Sequence, residues 1–367
     1  MSTARTTDVI IVGGGVAGLS AAALLAPHLR VLLLEREPLL ASQASGNNAA
    51  IYRPLEHDAL SAQLAARSFE LLERVAGEGV LGRCGLWLVS EREASVAELA
   101  RVAAARGLRF EVCSGAVLWQ RVPWLAQGQV EHGLCLHDGG VLDLHRLTTA
   151  LARTARAQGA QIQTNTAVSY IEYNRATQRV EGVQLASGEV LRSAHVVLAA
   201  GAWSAQLAAD VGLGLPLTPL RRHLVQLRAT ATEPSWPVVW RLEDEVYFRP
   251  ESGGVLASPC DESAWPTQSP PLTEPAVLAL LAQKLERTAP VLAHAAVQRA
   301  WACLRTFAAD RELVIGADPR VSGLHWLAGL GGRGMSVALA AAEILTQELL
   351  TPPRAARYAA LTSARLL

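Results

Sequence analysis

The sequence predicts an α/β protein: a Rossmann-like nucleotide-binding domain joined to a second domain built on an antiparallel sheet. Three stretches predict it. Residues 8–25 (DVIIVGGGVAGLSAAALL) pass from a Val/Ile strand through a glycine turn into an Ala/Leu-rich helix. Residues 195–204 (HVVLAAGAWS) return to a buried strand of the same kind. Between them and after them lie strand-like runs with short turns, such as EVYFRPESGGVLASP, in which Ser-Gly-Gly reads as a hairpin turn.

In the opening stretch Gly13, Gly15 and Gly18 fit G-x-G-x-x-G at the point where strand becomes helix. One glycine makes the tight turn, one lets backbone approach a pyrophosphate, and one lets the helix pack close to its strand. Val16 and Ala17 open the helix, whose N–H groups and dipole favour phosphate. The second strand, Arg30 to Leu34, ends in Glu35, where the fingerprint wants an acid for the ribose hydroxyls. Arg36 beside it is of the type that can accommodate a 2′-phosphate. Residues 36–54 are polar, small and aperiodic, a loop of a length that usually serves function.

From Asp58 a helical stripe resumes with Leu64, Phe69, Leu71 and Leu72. Residues 85–90 read as a strand, 91–107 as a helix closed by Gly107, and 109–143 as short strands and turns of an inserted segment. His132, His137 and His145 fit no recurrent zinc spacing, so no metal site is expected. Residues 143–159 form a helix with an acidic start and a glycine stop, followed by an antiparallel meander that leads into HVVLAAGAWS. Strands in LRRHLVQLRAT, PVVWRL, EVYFRPESGGVLASP and VQRAWACLRTFA then build the second domain, interrupted by the helix VLALLAQKLERTAP. Near the carboxyl end a strand runs into Gly329, Gly331, Gly332 and Gly334 and a long helix stopping near Thr351-Pro352-Pro353. Its amino terminus can aim N–H groups at negative charge, with Arg333 adding to it. The expected division is a nucleotide-binding domain over 1–82, 141–215 and 305–367, and a substrate domain over 83–140 and 216–304.

Bulk properties narrow the function. The 367 residues carry 33 Lys plus Arg against 33 Asp plus Glu, a neutral balance that disfavours nucleic acid as partner. Lys284 is the only lysine, which removes most lysine chemistry. Cys84, Cys113, Cys135, Cys260 and Cys303 form no C-x-x-C pair and suit a reducing compartment. No apolar run reaches the ~18 residues of a membrane span, and the first strand begins too early for a signal peptide. A cytoplasmic protein is the expectation.

Strand-GGGVAG-helix, the acid closing the second strand and the late VVLAAGAWS resemble the FAD-dependent D-amino-acid oxidase-like family. That family includes glycine oxidase, sarcosine oxidase and D-arginine dehydrogenase. The likeness covers nearly the whole chain and is greatest to D-arginine dehydrogenase, in VLLLEREP, AAGAW, the doublet Arg221-Arg222, VYFRPESGGVLASP, WACLRTFAADRELVIG and LAGLGGRGMSVALAAAEIL. It implies an extended FAD, with adenosine at the glycine turn and Glu35–Arg36, and with the Val168 backbone on the adenine. Ser42, Ser45, Gly46, Asn47, Asn48 and Ala49 would line pyrophosphate and flavin. Ala200, Gly201 and Trp203 of AAGAW and Gly331, Gly332, Arg333, Gly334 and Met335 of GLGGRGM would complete the FAD site.

The resemblance also places the chemistry. Arg305 falls where the family's carboxylate-binding Arg falls, and an Arg fork suits both carboxylate oxygens. Tyr247 matches the Tyr whose hydroxyl contacts the same carboxylate, and Arg222 matches a further active-site Arg. His223 beside it is a candidate proton acceptor. Cys303 stands where sarcosine oxidases bear a covalent flavin; by residue type it reads as a small buried hydrophobe. The expected reaction moves a hydride from the α-carbon of a small amino acid or amine to flavin N5, leaving an imine that water hydrolyses to oxo-acid and ammonia. A D-amino acid is implied. Leu86 stands where D-arginine dehydrogenase has an acid, which favours a neutral or hydrophobic side chain. Ile51 and Glu56 replace the His and Tyr of the family's flexible loop, and Glu56 could reach a cationic substrate. The strand GGVLASP lacks the Lys with which sarcosine oxidases activate oxygen, favouring a quinone or dye over oxygen as acceptor. Two alternatives remain at this point: an oxidase of an N-substituted glycine or a modified tRNA uridine, and a protein that holds FAD without turnover.

Overall fold

The structure is a computed structural model that describes residues 7–56, 58–229, 236–351 and 356–367. Its first sheet runs, from one edge, through Val168–Asn174, Arg179–Leu185, Val190–Leu198, Thr7–Val12, Val31–Leu34 and Gln161–Gln163. Thr7–Val12 lies parallel between Val31–Leu34 and Val190–Leu198, the expected nucleotide-binding core. The strand Val190–Leu198 serves two purposes. Its first residues close the antiparallel meander, and Ser193 to Leu198 pair with the opening strand. Leu324–Ala328 joins it in parallel and carries Val314–Ala317 beyond.

Strand period two divides the core between the two faces of this sheet. Val9 and Ile11 face the helices Val16–Leu25, Leu144–Ala157 and Gly334–Leu350. Ile10 and Val12 face the meander, with Ile171, Val183 and Trp326. Both faces are covered, so these strands read as unbroken apolar runs. Helix Ala59–Ala76, capped by the Asp58 side chain on the Ser61 N–H, packs across Gly334–Leu350.

The second sheet is mostly antiparallel, in the order Ser263–Ala264, Leu217–Arg228, Gly254–Ser258, Val246–Glu251, Val238–Arg241, Leu86–Ser90, His132–Leu136, Phe110–Ser114. Val297–Ala308 pairs with Leu217–Arg228 along nearly its whole length. A small third sheet, Ile51–Tyr52 with Gly140–Leu142 and Leu81–Gly82, ties the exit of the long loop to the boundary between the large sheets.

The sequence pattern did not reveal the helices Gly115–Arg121 and Ser204–Ala209 or the strand Val314–Ala317. The two helices are too short to show a periodic stripe; the first buries only Leu118. The Pro352-Pro353 stop lies outside the described residues. No described helix is long and apolar enough to cross a membrane.

Candidate active site

A cavity of about 460 Å³ runs along the boundary of the two large sheets, from the opening glycine turn to the turn before the last long helix. At its first end, Gly13 has φ +112°, and a Cβ there would sit 2.5 Å from the Ala199 carbonyl oxygen. A Cβ on Gly18 would sit 1.9 Å from the Gly13 oxygen, so that glycine permits the helix to lie on its strand. No side chain of Gly15 caps the helix; instead Ser45 Oγ, from the long loop, accepts the Val16 N–H at 2.9 Å. Glu35 closes the turn: its Oε2 accepts the Gly14 N–H at 2.6 Å and its Oε1 the Glu37 N–H at 2.9 Å. Arg36 stacks over Trp203, 3.8 Å from the ring centroid, and both line the cavity with Val168, Ala200 and Gly201. Ser42, Ser45, Asn48 and Ala49 line its middle, and Ser42 Oγ is buried without a hydrogen-bond partner among the described residues.

At the far end, Gly331 has φ +54°, and a Cβ there would strike the Phe307 ring at 2.5 Å. A Cβ on Gly332 would lie 3.0 Å from Arg305 Nη1. Glycine is therefore what leaves room for the Arg305 guanidinium against this turn. Arg305 Nη2 donates to Tyr247 Oη at 3.5 Å, and both side chains line the cavity beside Gly332, Gly334 and Met335. They come from the strands Val297–Ala308 and Val246–Glu251, which both belong to the second sheet. Cys303, two residues before Arg305, is buried at the same wall. Burial raises its thiol pKa, while the Arg305 and Arg222 charges pull the other way. The Trp240 ring lies 4.9 Å from that of Tyr247, and Arg53 lies 4.8 Å over Trp240.

Several expected site residues are placed elsewhere. Arg222 does not line the cavity: its Nε donates to the Asp261 carbonyl and its Nη2 to Glu262 Oε1 at 2.5 Å. Glu262 also takes Arg311, so Arg222 is the buried end of an ion network that runs from behind the wall to the surface. Glu56 cannot reach a substrate, because it is buried behind Arg53, whose Nη2 donates to its Oε2 at 2.6 Å. Arg333 turns away to Ser61 Oγ and the Arg311 carbonyl, clamping two helix starts together. Gly46 and Asn47 shape the loop without lining the cavity: a Cβ on Gly46 would meet the Ala41 oxygen at 2.4 Å, and Asn47 Nδ2 donates to the Ser42 carbonyl. Leu86 packs in a separate apolar cluster with Leu55 and Val238. His223 has both ring nitrogens engaged, Nδ1 with Asp261 Oδ2 at 2.6 Å and Nε2 with the Glu274 N–H at 3.3 Å, so it is no proton acceptor for the cavity.

A residue that the sequence pattern does not single out is Arg53, which lines the cavity beside Trp240. Its signal was the i, i+3 spacing to Glu56. The structure also gathers Glu111 and Cys135, opposite one another on paired strands outside the cavity, with His137 just past the strand end, their donor atoms within 4.8 Å of one another. Cross-strand pairing makes that trio, which spacing in sequence does not show.

A cleft spanning two glycine-rich helix starts, with an Arg–Tyr pair at one end, is the layout of an extended nucleotide site beside an anion site. Residues 8–348 match the family described as "DAO: FAD dependent oxidoreductase", and the chain belongs to that family. Among relatives, it is 28% identical to glycine oxidase of Pseudomonas putida over 363 residues, covering 94% of both chains. It is 27% identical over 352 residues to "4-methylaminobutanoate oxidase (formaldehyde-forming)" of Paenarthrobacter nicotinovorans, covering 90% of this chain and 42% of that protein. The chain thus spans about two fifths of the length of that relative. The crystal structure of L-proline dehydrogenase from P. horikoshii has the same fold, with a TM-score of 0.84 at 20% identity, covering 94% of this chain and 93% of that one.

Proposed function

We propose that the chain binds FAD along this cleft and oxidises the CH–NH bond of a small amino acid or amine bearing a carboxylate. The lining fits that cofactor. Gly13, Gly15, Val16 and Ala17 offer a bare turn and a helix start, Glu35 an acid at the ribose end, and Ser42 a hydroxyl that lacks a partner among the described residues. When bound, FAD supplies the acceptor for the hydride that leaves the α-carbon.

The observation that carries the reading is the Arg305–Tyr247 pair. A guanidinium enclosed at the cavity wall, with a 3.5 Å contact to one phenol, is poorly satisfied until a carboxylate arrives. Held there, the substrate presents its α-carbon beside the Gly331–Gly334 turn. A substrate amine bound neutral needs no protein base, which agrees with the full engagement of His223. The imine then hydrolyses in water.

Preference for the D hand rests on the family resemblance. A neutral side chain was inferred from Leu86; since Leu86 lies outside the cavity, the choice falls to Ile51, Arg53 and Trp240, which line it. A quinone or dye acceptor fits better than oxygen, because the one lysine, Lys284, donates to the Pro259 carbonyl at 2.6 Å and does not line the cavity.

The test is anaerobic mixing of FAD-loaded protein with D- and L-amino acids, glycine, sarcosine, proline and N-methylated amino acids. Bleaching of the flavin absorbance by at least one is expected; a silent panel overturns the reading.

A further inference from the structure

We infer that Arg53 is the specificity residue of this cleft and that the substrate is a dicarboxylate: an amino acid or amine whose second acidic group binds Arg53. The inference rests on the proposed oxidation at the Arg305 end and adds the opposite end of the substrate.

Arg53 follows the short strand Ile51–Tyr52, where the long loop crosses the domain boundary. Three contacts hold it. Its backbone N–H donates to Ser336 Oγ at 3.3 Å, its guanidinium lies over Trp240, and its Nη2 donates to Glu56 Oε2. The Glu56 side chain is wholly buried, and its backbone carbonyl is held in turn by Arg106 Nη1 at 2.7 Å. The rest of the fork is different. Nε and Nη1 have no hydrogen-bond partner among the described residues, Nη2 keeps a second N–H that completes an edge with either of them, and Arg53 lines the cavity. A guanidinium has five N–H donors in a fixed plane, and a carboxylate is the group that accepts two of them side by side.

The cavity therefore carries two guanidinium forks, Arg305 and Arg53, separated by the packed rings of Tyr247 and Trp240. The aromatic strip between them suits a short methylene chain, and the forks suit the carboxylates at its ends. Glu56 explains how Arg53 can wait there without a ligand, since it balances the charge from behind while leaving one edge open. A neutral side chain would cover those donors without pairing them, which is costly. A basic side chain would meet a like charge.

The experiment compares glutamate and aspartate of both hands with glutamine and asparagine, by anaerobic flavin reduction in the FAD-loaded protein. The acids are expected to exceed their amides by at least about tenfold in kcat/KM, the effect of one well-placed charged contact. Because Arg53→Met alone strands a buried carboxylate, the paired variant R53M/E56Q is used. It is expected to bring the acid-to-amide ratio close to one. Preference for amides in the unaltered protein, or an unchanged ratio in the variant, overturns the inference and leaves Arg53–Glu56 a structural pair. If no compound bleaches the flavin, the proposed oxidation falls instead. The role of Arg53 is then judged from glutarate and butyrate binding, read as shifts of the flavin spectrum. Tighter glutarate binding that the variant abolishes supports it, and equal binding of the two overturns it.

Discussion

Replacing Arg305 by Met separates what this residue does for the fold from what it does for the substrate. Among the described residues the guanidinium donates to Tyr247 Oη at 3.5 Å, and Gly332 is pressed against it. Burying a charge so thinly paired is unfavourable, so an apolar side chain of similar length is expected to leave stability unchanged or raise it by about 1 kcal/mol. The substrate's carboxylate loses its partner. Truncating one side of an enclosed charge pair costs about 2–5 kcal/mol, or roughly 30-fold to several thousand-fold in kcat/KM. Thermal unfolding and stopped-flow flavin reduction measure the two effects on the same preparation. Arg305→Lys restores charge but not the fork and should fall between. A folded R305M protein whose substrate affinity stays within about threefold of the original would refute the assignment of Arg305 as carboxylate anchor.

Other predictions test the frame around the site. Gly18→Ala puts a methyl 1.9 Å from a backbone carbonyl, so strand and helix must part by about 1 Å. Loss of 1–3 kcal/mol or more is expected, together with FAD lost on gel filtration; full retention and an unchanged Tm would refute this. Buried His325, beside His195 in the first sheet, has its pKa pushed down to about 3, by burial first and by the His195 charge second. The folded pKa lies below the unfolded one, so the stabilisation is complete above about pH 6.5 and is lost as pH falls towards 3. The loss is at most about 5 kcal/mol. His325→Leu should flatten the urea midpoint against pH over that window, and an unaltered slope would count against it. Cys303 is buried with a raised thiol pKa, so denatured holoprotein is expected to release all its flavin. A flavin mass increment on the polypeptide would show attachment instead.

The adenosine end of the site was legible because its requirements are local. Gly18 answers to the Gly13 oxygen five residues back, and Glu35 folds onto Gly14 from the next strand, although Gly13 itself is pressed by Ala199 far along the chain. The substrate end was only partly legible. Arg305 and Tyr247 were recognised through the resemblance and do meet. Arg222, Arg333 and Glu56 stand at the positions the resemblance assigns, but their long side chains follow whichever partners surround them. Those partners are the Glu262 carboxylate, the neutral Ser61 hydroxyl and Arg311 carbonyl oxygens, and the Arg53 guanidinium. Arg53 itself sits in an aperiodic loop where no period indicates which way a side chain points.

Residue order alone was enough to specify the strand, glycine turn and helix at each end of the chain, and the alternation that builds two kinds of sheet. These depend on backbone sterics and on the burial of apolar faces, both of which are written into neighbouring residues. Which cations face the cleft is a different matter. Arg53 does and Arg222 does not, because a guanidinium is aimed by partners distant in sequence. The loop, the third sheet and Trp240 of the second sheet meet around Arg53 only in the folded chain.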